Sequence, residues 1–152
     1  MEQSDSNVEK VIFITGVSRG IGRELFLQCA VRKDLVVIGV ARSTEALNEL
    51  KMECGQKGGG DYHLFAHDLS QPTLPADVER VLGEYAKLDA VINNAGYLVN
   101  KPFMEIERDE WLRCYETNVY APYRLTQLLF PYLKKSNLAR IVNIGSMGGV
   151  QG

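Results

Sequence analysis

Thr15-Gly16-Val17-Ser18-Arg19-Gly20-Ile21-Gly22 decides how the chain is read. The stretch follows a short apolar run, Val11-Ile12-Phe13-Ile14, and precedes a helix-like segment from Glu24 to Val31. Strand, glycine-rich turn and helix in that order build a phosphate site. Glycine lets the backbone turn sharply and approach a ligand, and a helix N-terminus presents free N–H groups at the positive end of its dipole. Glycine spacing alone is weak; its place between a strand and a helix gives it meaning. Thr15, Gly16, Ser18, Arg19, Gly20, Ile21 and Gly22 are the candidate cofactor-binding residues of this turn.

Outward from the turn, strand-like and helix-like segments alternate. The first strand spans Lys10 to Thr15, and its helix, about Gly20 to Val31, sets Ile21, Leu25 and Cys29 on one stripe with Phe26 beside it. Leu35 to Val40 is a continuous apolar run, as expected of a strand covered on both faces. A helix follows from about Thr44 to Cys54, with Leu47 and Leu50 facing inward. Gly58-Gly59-Gly60 reads as a flexible surface turn, because no strong strand feeds it. The third strand, Tyr62 to Ala66, ends at His67-Asp68-Leu69, and Pro75 to Tyr85 has helical spacing at Val78, Val81, Leu82 and Tyr85. The fourth strand, Leu88 to Ile92, runs into Asn93-Asn94-Ala95-Gly96. A long helical region covers about Asp109 to Lys134, with Pro122 bending it or marking a boundary. Its apolar face, Leu125, Leu128, Leu129 and Tyr132, is either core or subunit contact. The fifth strand, Ala139 to Ile144, leads into Gly145-Ser146-Met147-Gly148-Gly149.

This alternation predicts an α/β fold: a doubly wound, Rossmann-type parallel sheet with helices on both faces, truncated after the fifth strand. Residues 1–9 form a polar tail and residues 10–152 the dinucleotide-binding domain. Ligands of such sheets sit at the carboxyl ends of the strands, where every polar motif named above falls.

Composition narrows the function. The 152 residues are 45% hydrophobic and 24% charged, ordinary values for a globular protein. A net charge of −2 makes no electrostatic case for nucleic acid or an acidic membrane surface. Cys29, Cys54 and Cys114 are widely spaced and unclustered, which fits reduced thiols in a cytoplasmic protein. The Met1–Asn7 stretch is polar and acidic, unlike a secretory signal, and no apolar run approaches the roughly 20 residues a membrane helix needs.

The choice of dinucleotide is written at the end of the second strand. About twenty residues past the last glycine, such folds place the side chain that reads the adenosine ribose. A carboxylate there selects NAD. Here the strand ends Val40-Ala41-Arg42-Ser43 with no acid, and Arg42 can fork onto a phosphate, with Arg19 reaching the same group. The pair favours NADP(H) over NAD(H). Asp68 is either a hydrogen-bond partner of the adenine or a turn cap.

Thr15-Gly16-x-x-x-Gly20-x-Gly22, Asp68-Leu69, Asn93-Asn94-Ala95-Gly96, Asn118 and Ile144-Gly145-Ser146 occur in an order and at intervals that resemble the short-chain dehydrogenase/reductase family. The resemblance runs from Lys10 onward. Three residues between Gly16 and Gly20 match the single-domain branch; the longer epimerase and dehydratase branch has two there. By this resemblance Asn94, Ala95 and Gly96 line the cofactor cleft with Leu69 beside it, and Asn118 helps hold a proton-relay water. Ser146 hydrogen-bonds the oxygen of a carbonyl or alcohol substrate, a task suited to a hydroxyl that both donates and accepts.

The resemblance also implies a tyrosine general acid beyond Ser146, with a lysine one helical turn later that lowers its pKa. The chain reaches Gly152 without that pair. Tyr97 and Lys101 have the spacing, but they precede Asn118 and Ser146 and are followed by Pro102, so they are not read as the acid. The expectation is an NADP(H)-dependent oxidoreductase seen in part, with carbonyl reduction by these 152 residues absent or very slow and the fifth strand left as an apolar edge. The resemblance implies a further helix beside the Asp109–Lys134 region that helps form the family's dimer interface, so the full-length protein is expected to be a homo-oligomer. The alternative is a non-catalytic dinucleotide sensor or scaffold. His63 and His67 are too few and too poorly spaced for a metal site, and Trp111, Leu112 and Tyr115 read as packing residues.

Overall fold

Each apolar run takes its place in one five-stranded sheet, ordered β3-β2-β1-β4-β5 with every neighbouring pair parallel. The strands are β1 (Lys10–Thr15), β2 (Leu35–Ala41), β3 (Asp61–Ala66), β4 (Ala90–Asn93) and β5 (Arg140–Asn143). The helices are α1 (Gly20–Ala30), α2 (Thr44–Lys57), α3 (Ala76–Tyr85), α4 (Arg108–Tyr115) and α5 (Ala121–Leu133). This structure, a computed structural model, describes residues 10–146 and Gly148. The polar 1–9 tail, with Met147 and Gly149 of the last turn, lies outside the described residues.

All seven residues of β2 are buried, and their alternation divides them between two cores. Val36, Ile38 and Val40 join Phe13, Val78, Leu82, Leu125 and Leu129 on the α3 and α5 side. Val37 and Ala41 join Ile14, Phe26, Leu47 and Leu50 on the α1 and α2 side. That two-sided burial is why β2 reads as an unbroken apolar run. Leu125 and Leu129 are core, with Leu128 and Tyr132 packed against it, so this face of α5 is not a subunit contact. At the far side, β5 is an edge strand with all four residues exposed.

Three expectations are corrected. Ile21 does not share a core stripe with Leu25 and Cys29: it is 67% exposed, because the first turn of α1 faces the open space at the carboxyl ends of the strands. The buried face of α1 is Gly22, Phe26, Leu27, Cys29 and Ala30. Gly58-Gly59-Gly60 is not a loose surface turn. Gly60 N–H donates to Ala30 O at 3.0 Å, and a Cβ on Gly59 or Gly60 would collide with the backbone of Val31 or Arg32. The Asp109–Lys134 region is continuously helical, as its spacing predicts: α4 runs through a π turn, Glu116–Tyr120, into α5 with helical backbone at each junction. The change of pitch precedes Pro122, which is the second residue of α5. Trp111, Leu112 and Tyr115 are exposed on α4, the two rings stacked on each other 5.8 Å apart.

At the amino end of the sheet, Asp89 ties three elements together. Its carboxylate accepts Val11 N–H at 2.9 Å and Ser136 O–H at 2.6 Å, and Lys87 Nζ lies 3.2 Å away. Partial burial raises its pKa, but the Ser136, Val11 and Lys87 contacts outweigh that and hold it below the ordinary value. Asp89→Ala is expected to cost about 2–3 kcal/mol, lowering Tm by roughly 5–10 °C in thermal unfolding at pH 7. Because the folded carboxyl is the stronger acid, its contribution is complete above the ordinary value of 3.8 and is lost as pH falls below it. Wild type and variant should therefore converge in stability in that acid range.

Candidate functional site

Two strand ends are bolted together before any ligand arrives. Thr15, at the end of β1, is 1% exposed. Its Oγ1 accepts the N–H groups of Asn94 and Ala95, each at 3.0 Å, and donates to Ile92 O at 3.4 Å, filling the capacity of a hydroxyl. Asn94 answers from β4: its Nδ2 donates to Thr15 O at 3.1 Å and to Gly16 O at 3.2 Å. Gly16 has φ +74, and a Cβ on it would sit 2.8 Å from Ala95 Cα, so only glycine lets the turn pass this close to β4.

The cleft that results has a volume of about 410 Å³ at the carboxyl ends of β1, β2 and β3. Its floor is Gly16, Ser18, Arg19, Gly20 and Ile21; Arg42 closes one side; Asp68, Leu69 and Asn94–Gly96 close the others. Thr15 and Gly22 build the cleft without lining it. α1 begins here, and its N-cap residue, Arg19, makes no side-chain cap bond. The space where a Gly20 side chain would stand has no atom within 4 Å. An uncapped helix N-terminus facing an open cradle suits a phosphate. Arg42 and Arg19 are exposed at this mouth.

Asp68 is a turn cap in this structure. Ser70 N–H donates to Oδ1 at 3.0 Å, and that bond, with Arg42 and His67 nearby, holds the carboxyl below its ordinary pKa despite some burial. Burial lowers the pKa of the neighbouring His67, so its imidazole is neutral at pH 7.

A second, wider cavity of about 1150 Å³ adjoins the first and brings Ser146, Asn118, Asn93 and Tyr97 to one space. Asn118 stands in the π turn with its amide engaged: Oδ1 accepts Tyr97 N–H at 2.9 Å and Nδ2 donates to Tyr97 O at 2.8 Å. Ser146 is exposed, its Oγ accepting Gly148 N–H at 3.2 Å. Asn93 Nδ2 donates to Asn143 Oδ1 at 2.9 Å across a register pair of β4 and β5, fixing the strand that ends near Ser146. Asn143 was not singled out by sequence, though its polar side chain closing an apolar strand was a visible sign. Tyr97 and Lys101 face separate partners: the Arg113 guanidinium lies 4.4 Å from the Tyr97 ring centre, and Lys101 Nζ pairs with Glu110 at 2.5 Å. Among the described residues no three His, Cys, Asp or Glu side chains form a metal-binding group, and no helix is long and apolar enough to cross a membrane. Burial raises the pKa of the Cys29 and Cys54 thiols.

A doubly wound parallel sheet with a glycine turn, an uncapped helix N-terminus and a cleft at its strand ends is the α/β architecture shared by dinucleotide-binding domains. The family model described as short chain dehydrogenase matches residues 10–152, and the chain belongs to that family of oxidoreductases. It is 30% identical over 143 residues to 3-oxoacyl-[acyl-carrier-protein] reductase FabG of Salmonella typhimurium, and 30% identical to that of Escherichia coli K12. In both cases the match covers 94% of this chain and 57% of the relative, so the chain spans little more than half the length of these curated relatives. Two solved structures are similar. A short chain dehydrogenase of Shigella flexneri complexed with NADP has a TM-score of 0.81 and 30% identity, covering 97% of this chain and 64% of that one. Another, of Escherichia coli CFT073 complexed with NADPH, has a TM-score of 0.80 and 31% identity, covering 96% and 63%.

Proposed function

We propose that the protein is an NADP(H)-dependent oxidoreductase of the short-chain type, transferring hydride between the nicotinamide and a carbonyl or alcohol carbon. The observation that carries this reading is the single cleft that gathers the glycine turn, Arg42, Asp68 and Asn94–Gly96. The N–H groups of Gly20 and Ile21, with Ser18, hold the pyrophosphate, and the absence of a carboxylate at the end of β2 leaves Arg42 and Arg19 to hold the 2′-phosphate. Asp68, already capping Ser70 through Oδ1, offers its second oxygen to the adenine amino group, beside Leu69. Asn94, Ala95 and Gly96 form the wall toward the nicotinamide, which when bound supplies or accepts the hydride.

On the substrate side Ser146 donates a hydrogen bond to the oxygen that gains negative charge during reduction and accepts one from an alcohol in the reverse direction. Asn118 pins the Tyr97 backbone and so keeps the facing wall in place, where it helps hold the proton-relay water. The substrate is a small molecule. Exposed Tyr123 and Phe130 on α5, with Trp111 on α4, support a homo-oligomer, and the reduced, unclustered cysteines fit the cytoplasm.

Fluorescence titration of the chain with NADPH and NADH tests the cofactor assignment. NADPH is expected to bind roughly tenfold or more tightly than NADH, the value of one or two exposed charge-assisted contacts. Equal affinities, or tighter NADH, would remove NADP(H) from this reading, and binding of neither would remove the dinucleotide itself.

A further inference from the structure

The cleft has two walls from distant parts of the chain. One is the segment after β3, His67 to Ser70, and the other is the π turn and the start of α5, represented by Thr117 and Ala121. Beneath them Leu69 and Leu74 pack into the same core as Leu125 and Leu129, which sets the height of the loop but not its lateral position. A directional bond does that. Arg124 Nη2 donates to Pro72 O at 3.1 Å, across 52 residues of sequence, while Nη1 donates to Gln127 Oε1 at 3.3 Å. Gln127 Nε2 in turn donates to Tyr123 Oη at 2.9 Å. The guanidinium is therefore held from its own helix and extended onto a backbone carbonyl of the opposite wall.

We propose that Arg124 is a positioning residue for the cofactor: its bond to Pro72 O holds the His67–Ser70 wall at the spacing from Thr117 and Ala121 that an adenosine moiety fills. The inference rests on the dinucleotide reading above and adds to it a residue that lines neither cavity. Two features of the loop make it dependent on such a strap. Asp68 and Ser70 are closed into a local turn by Ser70 N–H to Oδ1 and Gln71 N–H to Asp68 O, so the wall moves as one piece. Ser70, Gln71, Pro72 and Thr73 are all exposed, so no packing holds the tip of that piece.

The experiment compares the chain with Arg124→Met, which keeps the aliphatic stem, and with Arg124→Lys, which keeps a donor able to reach a carbonyl. Each is titrated with NADPH and with 2′,5′-ADP, the adenosine half alone. Arg124→Met is expected to weaken both ligands by the same factor, roughly five- to tenfold, the value of one partly exposed charge-assisted bond. NADPH fluorescence at saturation and Tm should stay at wild-type values, and Arg124→Lys should recover most of the affinity. Faster hydrogen exchange at the Ser70 and Gln71 amides in Arg124→Met would locate the effect in the loop. Unchanged affinity for 2′,5′-ADP in Arg124→Met, beside a wild type that binds it, overturns this inference alone. Weakened binding with a lowered Tm and no recovery in Arg124→Lys also overturns it, marking general damage to the fold. A wild-type chain that binds neither ligand overturns the proposed function together with it.

Discussion

Gly22→Ala is expected to abolish NADPH binding and to destabilise the chain by about 3 kcal/mol or more, although it adds one methyl group. That methyl would overlap Asn94 Nδ2 and stand 2.5 Å from Gly16 O. The Asn94 amide could swing away only by giving up its bonds to Thr15 O and Gly16 O. Each such bond contributes roughly 1 kcal/mol, and overpacking costs roughly 1–3 kcal/mol more. Gly16 O is backbone and yields only if the turn opens, which dismantles the floor of the cleft. Gly20→Ala is the control. Its methyl meets nothing within 4 Å, so the cost is confined to the left-handed conformation at φ +59, about 1 kcal/mol. Urea unfolding should separate the two variants, with Gly20→Ala folded yet weak for NADPH because its methyl enters the cradle. Equal stability of Gly22→Ala and wild type would mean that Asn94 does not clamp the turn.

The sheet was legible because its signals are local. β1 and β2 are runs of apolar, largely β-branched residues ending at polar turns, and alternation assigns each residue to a face, whichever helix later covers it. The gathering of the glycine turn, Arg42, Asp68 and Asn94–Gly96 into one cleft followed from topology, since parallel strands bring all their carboxyl ends to one side.

What sequence did not reveal depends on partners far along the chain. The π turn before α5 holds Asn118, whose side chain is spent on the backbone of Tyr97, 21 residues away; a proline was the only local cue, and it lies past that turn. Gly59 and Gly60 are required by Val31 and Arg32, which no local window contains. Ile21 carries the right spacing for a core stripe, but where the helix stands relative to the end of the sheet decides its exposure. Asp68 was a balanced choice between cap and ligand. The structure makes it a cap for Ser70.

Arg42→Asp is expected to reverse the cofactor preference. Arg42 follows β2 directly after buried Ala41, on the border of the cleft, where a fold of this kind reads the adenosine ribose. Replacing it removes an attraction to the 2′-phosphate worth about 1.5–2 kcal/mol and adds a repulsion of about 1 kcal/mol, together roughly 100-fold in NADPH affinity. The new carboxylate can accept hydrogen bonds from an unphosphorylated ribose, so NADH should bind more tightly than in wild type. Arg42 is exposed, so salt should erode its contribution: the screening length falls from about 10 Å at 0.1 M to about 3 Å at 1 M. NADPH titrations of wild type and Arg42→Asp should therefore draw together as salt rises, while the NADH curves of the wild type stay nearly fixed. If Arg19 alone held the phosphate, Arg42→Asp would lose little, and Arg19→Ala would carry the loss instead. A gap between NADPH and NADH that survives high salt would point to shape at the end of β2, and not to charge, as the selector.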